Sequence, residues 1–121
     1  MKTVTLLASA TLVTLLFAAP HASASTAADC QLQIATLAEE TTTTPFLRGD
    51  KGVKTELQLL FHLTKASDDL DKLDVRDALN QMDGYSTDLA RSVGSATIAP
   101  SDAAALQTGA DAVVACVQTI P

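Results

Sequence analysis

Aromatic side chains are nearly missing from this chain: there is no Trp, one Tyr and three Phe in 121 residues. That excludes the stacking platforms on which single-stranded nucleic acids and sugars rest. Bases are also few, 8 Lys and Arg against 14 Asp and Glu, for a formal charge of −6. Nucleic-acid binding needs clustered cations to neutralise phosphates, and a polybasic membrane-surface module needs them for anionic lipid. No Gly-x-Ser-x-Gly stretch occurs, so the strained turn that presents a nucleophilic serine is lacking. The only Asn, Asn80, is followed by Gln81 and Met82, which removes any N-glycosylation acceptor. Sustained alternation of apolar and polar residues is absent too, and with it the signature of half-buried strands.

What is present begins with an address. Lys2 precedes an apolar stretch centred on Leu6, Leu7, Leu12, Val13, Leu15, Leu16 and Phe17. Pro20 breaks that stretch, and Ala22-Ser23-Ala24 supplies small residues for cleavage. The pattern predicts a secretory signal peptide over residues 1–24; a membrane anchor fits less well, because Thr and Ser dilute a run near the lower length limit for a span. The expectation is a secreted, extracellular protein formed by residues 25–121 as one domain, with no membrane span after cleavage. Within it His62 is the sole histidine, and Cys30 and Cys116 are the only cysteines. An oxidising environment favours an internal bond between them, closing a separation of 86 residues, over free thiols or an intermolecular bridge.

The spacing of apolar residues is helical nearly throughout. A first helix is expected from about Ala27 to Glu40, with Cys30, Ile34 and Leu37 inward and the Thr41–Thr44 run with Pro45 as its end. A second spans about Lys51 to Leu70, capped by Asp50, its inward stripe assigned to Val53, Leu57, Leu60, Phe61 and Leu63. The third starts after Asp74 as N-cap and runs to about Val93 through Ala78, Leu79, Met82, Tyr85 or Ser86, Leu89 and Val93. Gly84 weakens that helix by about 1 kcal/mol relative to Ala and so marks close packing or a bend. A fourth opens at Ser101 as N-cap and lines its inner face with Leu106, Ala110, Val113, Val117 and Ile120. Both cysteines fall on or beside these inner stripes. The expected architecture is all-α, a compact four-helix bundle whose disulfide ties the first helix to the last.

Four short stretches carry a further likeness. They are His62-Leu63-Thr64-Lys65-Ala66, then Leu70-Asp71-Lys72-Leu73-Asp74, then Ala78-Leu79-Asn80-Gln81-Met82-Asp83-Gly84-Tyr85, then Ala103 or Ala104 with Leu106 and Ala110. In this spacing the segment from Val53 to Val117 resembles the FIMAH domain, a small all-helical module of bacterial secreted and cell-surface proteins. The chain departs from the family pattern at Leu73, where Gly is usual in the break, at His62, where Lys is usual, and in its two cysteines. The resemblance implies a non-catalytic accessory or interaction module and brings no catalytic residues with it.

Individual candidates reduce to structural roles. Arg48-Gly49-Asp50 matches an adhesion tripeptide, but a glycine turn leading to a helix-capping Asp50 accounts for it more simply. Asp68, Asp69, Asp71, Asp74 and Asp77 are dense enough to suggest calcium. Yet Leu73 and Asp74 fall where an EF-hand loop needs an acid and a Gly, so a solvated connector at a helix start is preferred. His62 has no second histidine with which to share a metal, and Ser67 or Ser86 would have to serve it as nucleophile. It reads as a boundary residue. The Thr41–Thr44 run reads as an ordinary polar loop rather than a site for O-linked sugar. No cofactor, metal or catalytic set is expected. The functional expectation is a secreted helical module that binds an extracellular protein or surface. The alternative is a carrier of a small apolar ligand, a lipid or sterol, between the helices.

Overall fold

The apolar periodicity resolves into four helices: α1 (Ala27–Thr43), α2 (Asp50–Asp71), α3 (Val75–Gly94) and α4 (Pro100–Gln118). The computed structural model describes residues 24–121, so the expected signal peptide lies, but for Ala24, outside the described residues. Each helix packs on the next, and α4 packs back on α1. That ring order, with connections of three to six residues between helices, is the up-and-down four-helix bundle. Among the described residues there is no strand, and no helix is long and apolar enough to cross a membrane. Leu59, Leu63, Leu70, Met82, Leu89, Leu106, Val113 and Val117 fill the core, with Cys30 and Cys116 among them. Those two cysteines form a disulfide between α1 and α4, with their Cα atoms 5.6 Å apart.

Capping decides where the helices begin, and it corrects the sequence reading twice. Thr26 and Asp29 form a reciprocal capping box at α1, with Thr26 N–H donating to Asp29 at 3.0 Å and Asp29 N–H donating to the Thr26 hydroxyl at 3.1 Å. The Thr26 N–H, and then its hydroxyl, hold the Asp29 carboxyl below its ordinary range. This stabilisation is present at neutral pH and is lost as pH falls through the lowered value. Asp74 caps α3 as expected, accepting from Asp77 N–H at 3.1 Å. Asp50 does not cap α2. Gly49, in the left-handed region at φ 56°, is the N-cap, and Asp50 is the first helical residue. Ser101 does not cap α4 either, because the helix begins one residue earlier with Pro100 at its first position. There a missing N–H costs nothing, since that group has no partner inside the helix.

The threonine run is helix, not loop. Thr41, Thr42, Thr43 and Thr44 each return a hydroxyl to a backbone carbonyl four residues back, at 2.7 to 3.2 Å. The first three share carbonyls that already accept a helical N–H, while Thr44 supplies a donor to Glu40, one of the last carbonyls of α1, which lack helical partners. α1 therefore continues to Thr43 and stops where Pro45 holds Thr44 extended, at φ −72° and ψ 133°. The extension buries Thr41, whose Oγ1 lies 2.8 Å from the hydroxyl of fully buried Tyr85. Thr41 donates to the Leu37 carbonyl at 2.7 Å, so Tyr85 is the donor to Thr41 and the buried chain of hydroxyls is complete.

The connectors close one end of the bundle. Leu47 N–H donates to the Thr97 carbonyl at 2.8 Å, and the Thr55 hydroxyl reaches that of Thr97 at 3.1 Å. Thr97 and Ile98 are themselves buried, so the α3–α4 connector is a plug rather than a free loop. At the other end Leu73 takes the left-handed conformation, φ 57°, while Asp74 N–H returns to the Asp69 carbonyl at 2.8 Å. That is the geometry of a helix C-terminal turn in which glycine is the favoured residue.

Removing either end of the hydroxyl chain should have unequal effects. Tyr85→Phe leaves Thr41 bonded to Leu37 and should cost about 0.5–1.5 kcal/mol, whereas Thr41→Val strands the buried phenol and should cost about 1–3 kcal/mol. Burial pushes the Tyr85 phenol from 10.0 up to about 12, so its folded state holds the proton longer than the unfolded chain does. Its contribution is full below pH 10 and is lost as pH rises towards 12. Denaturant unfolding across this window should show a shallower alkaline loss in Tyr85→Phe than in the wild type.

Candidate functional site

The second helix carries the main departure from expectation. Val53, Leu57 and Phe61, assigned inward from their spacing, are 55%, 60% and 60% exposed. The buried arc of α2 is instead Gly52, Leu59, Leu63, Ala66 and Leu70. Apolar residues on α2 cover two arcs, and only one of them can face a four-helix core. The arc with the small residues Gly52 and Ala66 turns inward; at Gly52 the backbone of Leu47, in the α1–α2 connector, lies where a Cβ would stand. Leu60 lies between the arcs, at the rim of a groove of about 270 Å³ along α1 and α2 that Ile34, Ala35, Ala38 and Leu63 also line. Large apolar side chains thus line a face of α2 that is open to water.

His62 stands on the opposite shoulder of α2 and points to α3. Its Nε2 lies 2.8 Å from Asp88 Oδ2, and its Nδ1 lies 3.1 Å from Gln81 Oε1. Asp88 also accepts from Arg91 Nη1 at 2.9 Å. When both ring nitrogens carry protons the imidazolium donates to both partners; with one proton, the Gln81 amide must turn to donate. Either way both nitrogens are engaged within the protein. Neither serine joins them: Ser86 Oγ accepts from Gln107 at 3.0 Å, and the Ser67 carbonyl accepts from Gln31 at 2.9 Å. The boundary role expected of His62 takes the form of a cross-link between α2 and α3. Gly84 makes room for it. A Cβ on Gly84 would lie 2.6 Å from His62 Cε1, so the glycine marks close packing rather than a bend.

The acidic run divides among separate tasks. Asp71 accepts from the Gln31 side chain at 2.7 Å, tying α2 to α1. The Asp74 hydrogen bond and charge, with the charge of Asp69, raise the Asp77 carboxyl above its ordinary value. Asp69 is buried, contrary to the expectation of a wholly solvated connector, and its Oδ2 takes no hydrogen bond. Its backbone carbonyl is held by Lys72 and Asp74, which places it in the turn. Among the described residues no group of three or more His, Cys, Asp or Glu is arranged to hold a metal ion. The Arg48-Gly49-Asp50 turn is exposed at all three residues, with Arg48 also at positive φ, 71°.

In comparisons with known proteins, no family model, no curated protein and no solved structure matches the chain.

The packing of His62 on Gly84 sets up a change of sign. Helix propensity favours Ala over Gly by about 1 kcal/mol in a helix interior. Gly84→Ala should nevertheless destabilise the protein, because the methyl group displaces a ring held at both nitrogens. In a His62→Ala background the same substitution should stabilise by about 1 kcal/mol. Equilibrium unfolding of the four proteins in this cycle reads the sign directly.

Proposed function

We propose that the protein is a secreted, non-catalytic helical module that binds a protein or surface outside the cell through the outer face of α2. The observation that carries this reading is the line of Val53, Leu57 and Phe61 at one-turn spacing, each more than half exposed. Exposed large side chains are ordinary when scattered, but an aligned set on a single helix marks a contact face. The disulfide belongs with an oxidising environment, and with the apolar segment after Lys2 it supports export. The engagement of His62 at both nitrogens supports a role without chemistry. The FIMAH-like reading forms part of the proposal. Its motif residues Leu63, Ala66, Ala78, Leu106 and Ala110 are buried packing positions. Leu73, at the family's glycine position, has the backbone conformation that glycine favours.

Retention of the purified protein on cell-surface material and on immobilised culture-medium proteins tests the reading. The wild type should be retained specifically, and Leu57→Ser with Phe61→Ser should reduce retention about tenfold or more, as loss of a contact centre does. Equal retention of the variant, or none of the wild type, would refute it.

A further inference from the structure

The outer face of α2 has a pattern beyond its apolar centre. Asp50, Lys54, Leu57, Phe61 and Asp68 follow one another along it, with Lys72 just past its end, at spacings of four, three or seven residues, and all are exposed. Such spacing keeps residues on one side of a helix, in the manner of a coiled-coil seam. The charges are arranged about Phe61. Lys54 and Asp68 each stand seven residues from it, on opposite sides, and Asp50 and Lys72 each stand eleven residues from it. Opposite charges thus occupy equivalent distances from a central ring.

We infer that this face pairs with the same face of a second copy of the chain, the two α2 helices antiparallel and the two-fold axis passing beside Phe61. The inference rests on reading the outer face of α2 as a contact surface. In this arrangement Phe61 meets Phe61 of the second copy, and Leu57 lies against the aliphatic stem of the second copy's Lys65. Lys54 meets Asp68 of the second copy and Asp50 meets its Lys72; the symmetry repeats each pair. A parallel arrangement would set Lys54 against Lys54 and Asp68 against Asp68, so the charges select the antiparallel one. None of these four charged groups is spent inside the molecule. Among the described residues the ion pairs are His62–Asp88 and Arg91–Asp88, on α2 and α3 away from this face. An isologous pairing also closes on itself, covering the exposed ring and leaving no second sticky face. The helix offers a contact about 33 Å long, from its 22 residues at the usual rise.

Sedimentation velocity of the purified, disulfide-bonded protein tests this. A reversible dimer should form between about 1 µM and 1 mM and weaken with added salt. Phe61→Ala should shift it towards monomer. Lys54→Glu, which places like charges against Asp68 at both symmetry-related positions, should weaken it about tenfold or more. Adding Asp68→Lys to Lys54→Glu should restore it, since the exchanged charges complement one another again. All these positions are exposed, and circular dichroism verifies that each variant keeps its helix content. A protein monomeric up to about 1 mM overturns the pairing. So does a dimer indifferent to Phe61→Ala, or one in which the charge exchange fails to restore association. A monomer retained on cell-surface material in a Phe61-dependent way overturns self-pairing while leaving the contact face intact; a monomer retained on nothing overturns both readings.

Discussion

The Cys30–Cys116 bond is the constraint on which the remaining structure depends. Three of the four contacts between neighbouring helices are made by sequential helices with a short connector between them; the contact of α1 with α4 is not. The disulfide joins that pair across a sequence separation of 86 residues, so it closes the ring where the backbone does not. By the chain-entropy account such a crosslink removes roughly 4–5 kcal/mol of freedom from the unfolded chain. Small domains have net stabilities of about 5–15 kcal/mol, so this single bond is comparable to the whole margin. The need is legible in the core itself, which is built mostly of Leu, Ala and Val with one buried Tyr. Without large rings to bury, a domain of this size gains from a covalent closure.

Around that closure the polar interior is small and almost fully bonded. The Tyr85 hydroxyl passes its hydrogen bond to Thr41 and on to the Leu37 carbonyl, linking α3 to α1 across the core. His62 does the equivalent between α2 and α3 at the boundary, where Gly84 admits its ring. These links fix how the helices are rotated about their axes. Rotation decides that α2 buries Leu59, Leu63 and Leu70 and leaves Leu57 and Phe61 in water.

Much of this order could be read from the sequence, and the misses have physical causes. Period and punctuation sufficed for four helices, for Asp74 as a cap and for the cysteines on facing stripes, while Gly84 stayed open between close packing and a bend until His62 was placed against it. The ends of α1 and α4 were misread because local rules compete. β-branching argues against helix in Thr41–Thr44, yet the extension buries Thr41 and bonds it to Tyr85, and Pro100 at the first position outweighs Ser101 as a cap. The rotation of α2 was misread because periodicity identifies apolar arcs without saying which one faces inward. Gly52 and Ala66 held the missing signal, since both lie on the buried arc and a side chain at Gly52 would meet the Leu47 backbone. The residue type of Leu73 gives no hint of its left-handed backbone; the only pointer is the resemblance, which puts a glycine at that position. The exposed apolar face itself was visible only after that rotation was known. Sequence spacing had assigned its central residues to the core.

A covalently closed bundle thus carries one unburied helix face, with the closure between α1 and α4 and the His62 link between α2 and α3. The equilibrium unfolding free energy of the oxidised protein against Cys30→Ala/Cys116→Ala tests the central claim most directly. A loss of about 4 kcal/mol or more, or failure of the variant to fold, is the predicted result. A variant as stable as the wild type to within about 1 kcal/mol would show that the helices close without their crosslink, and would contradict it.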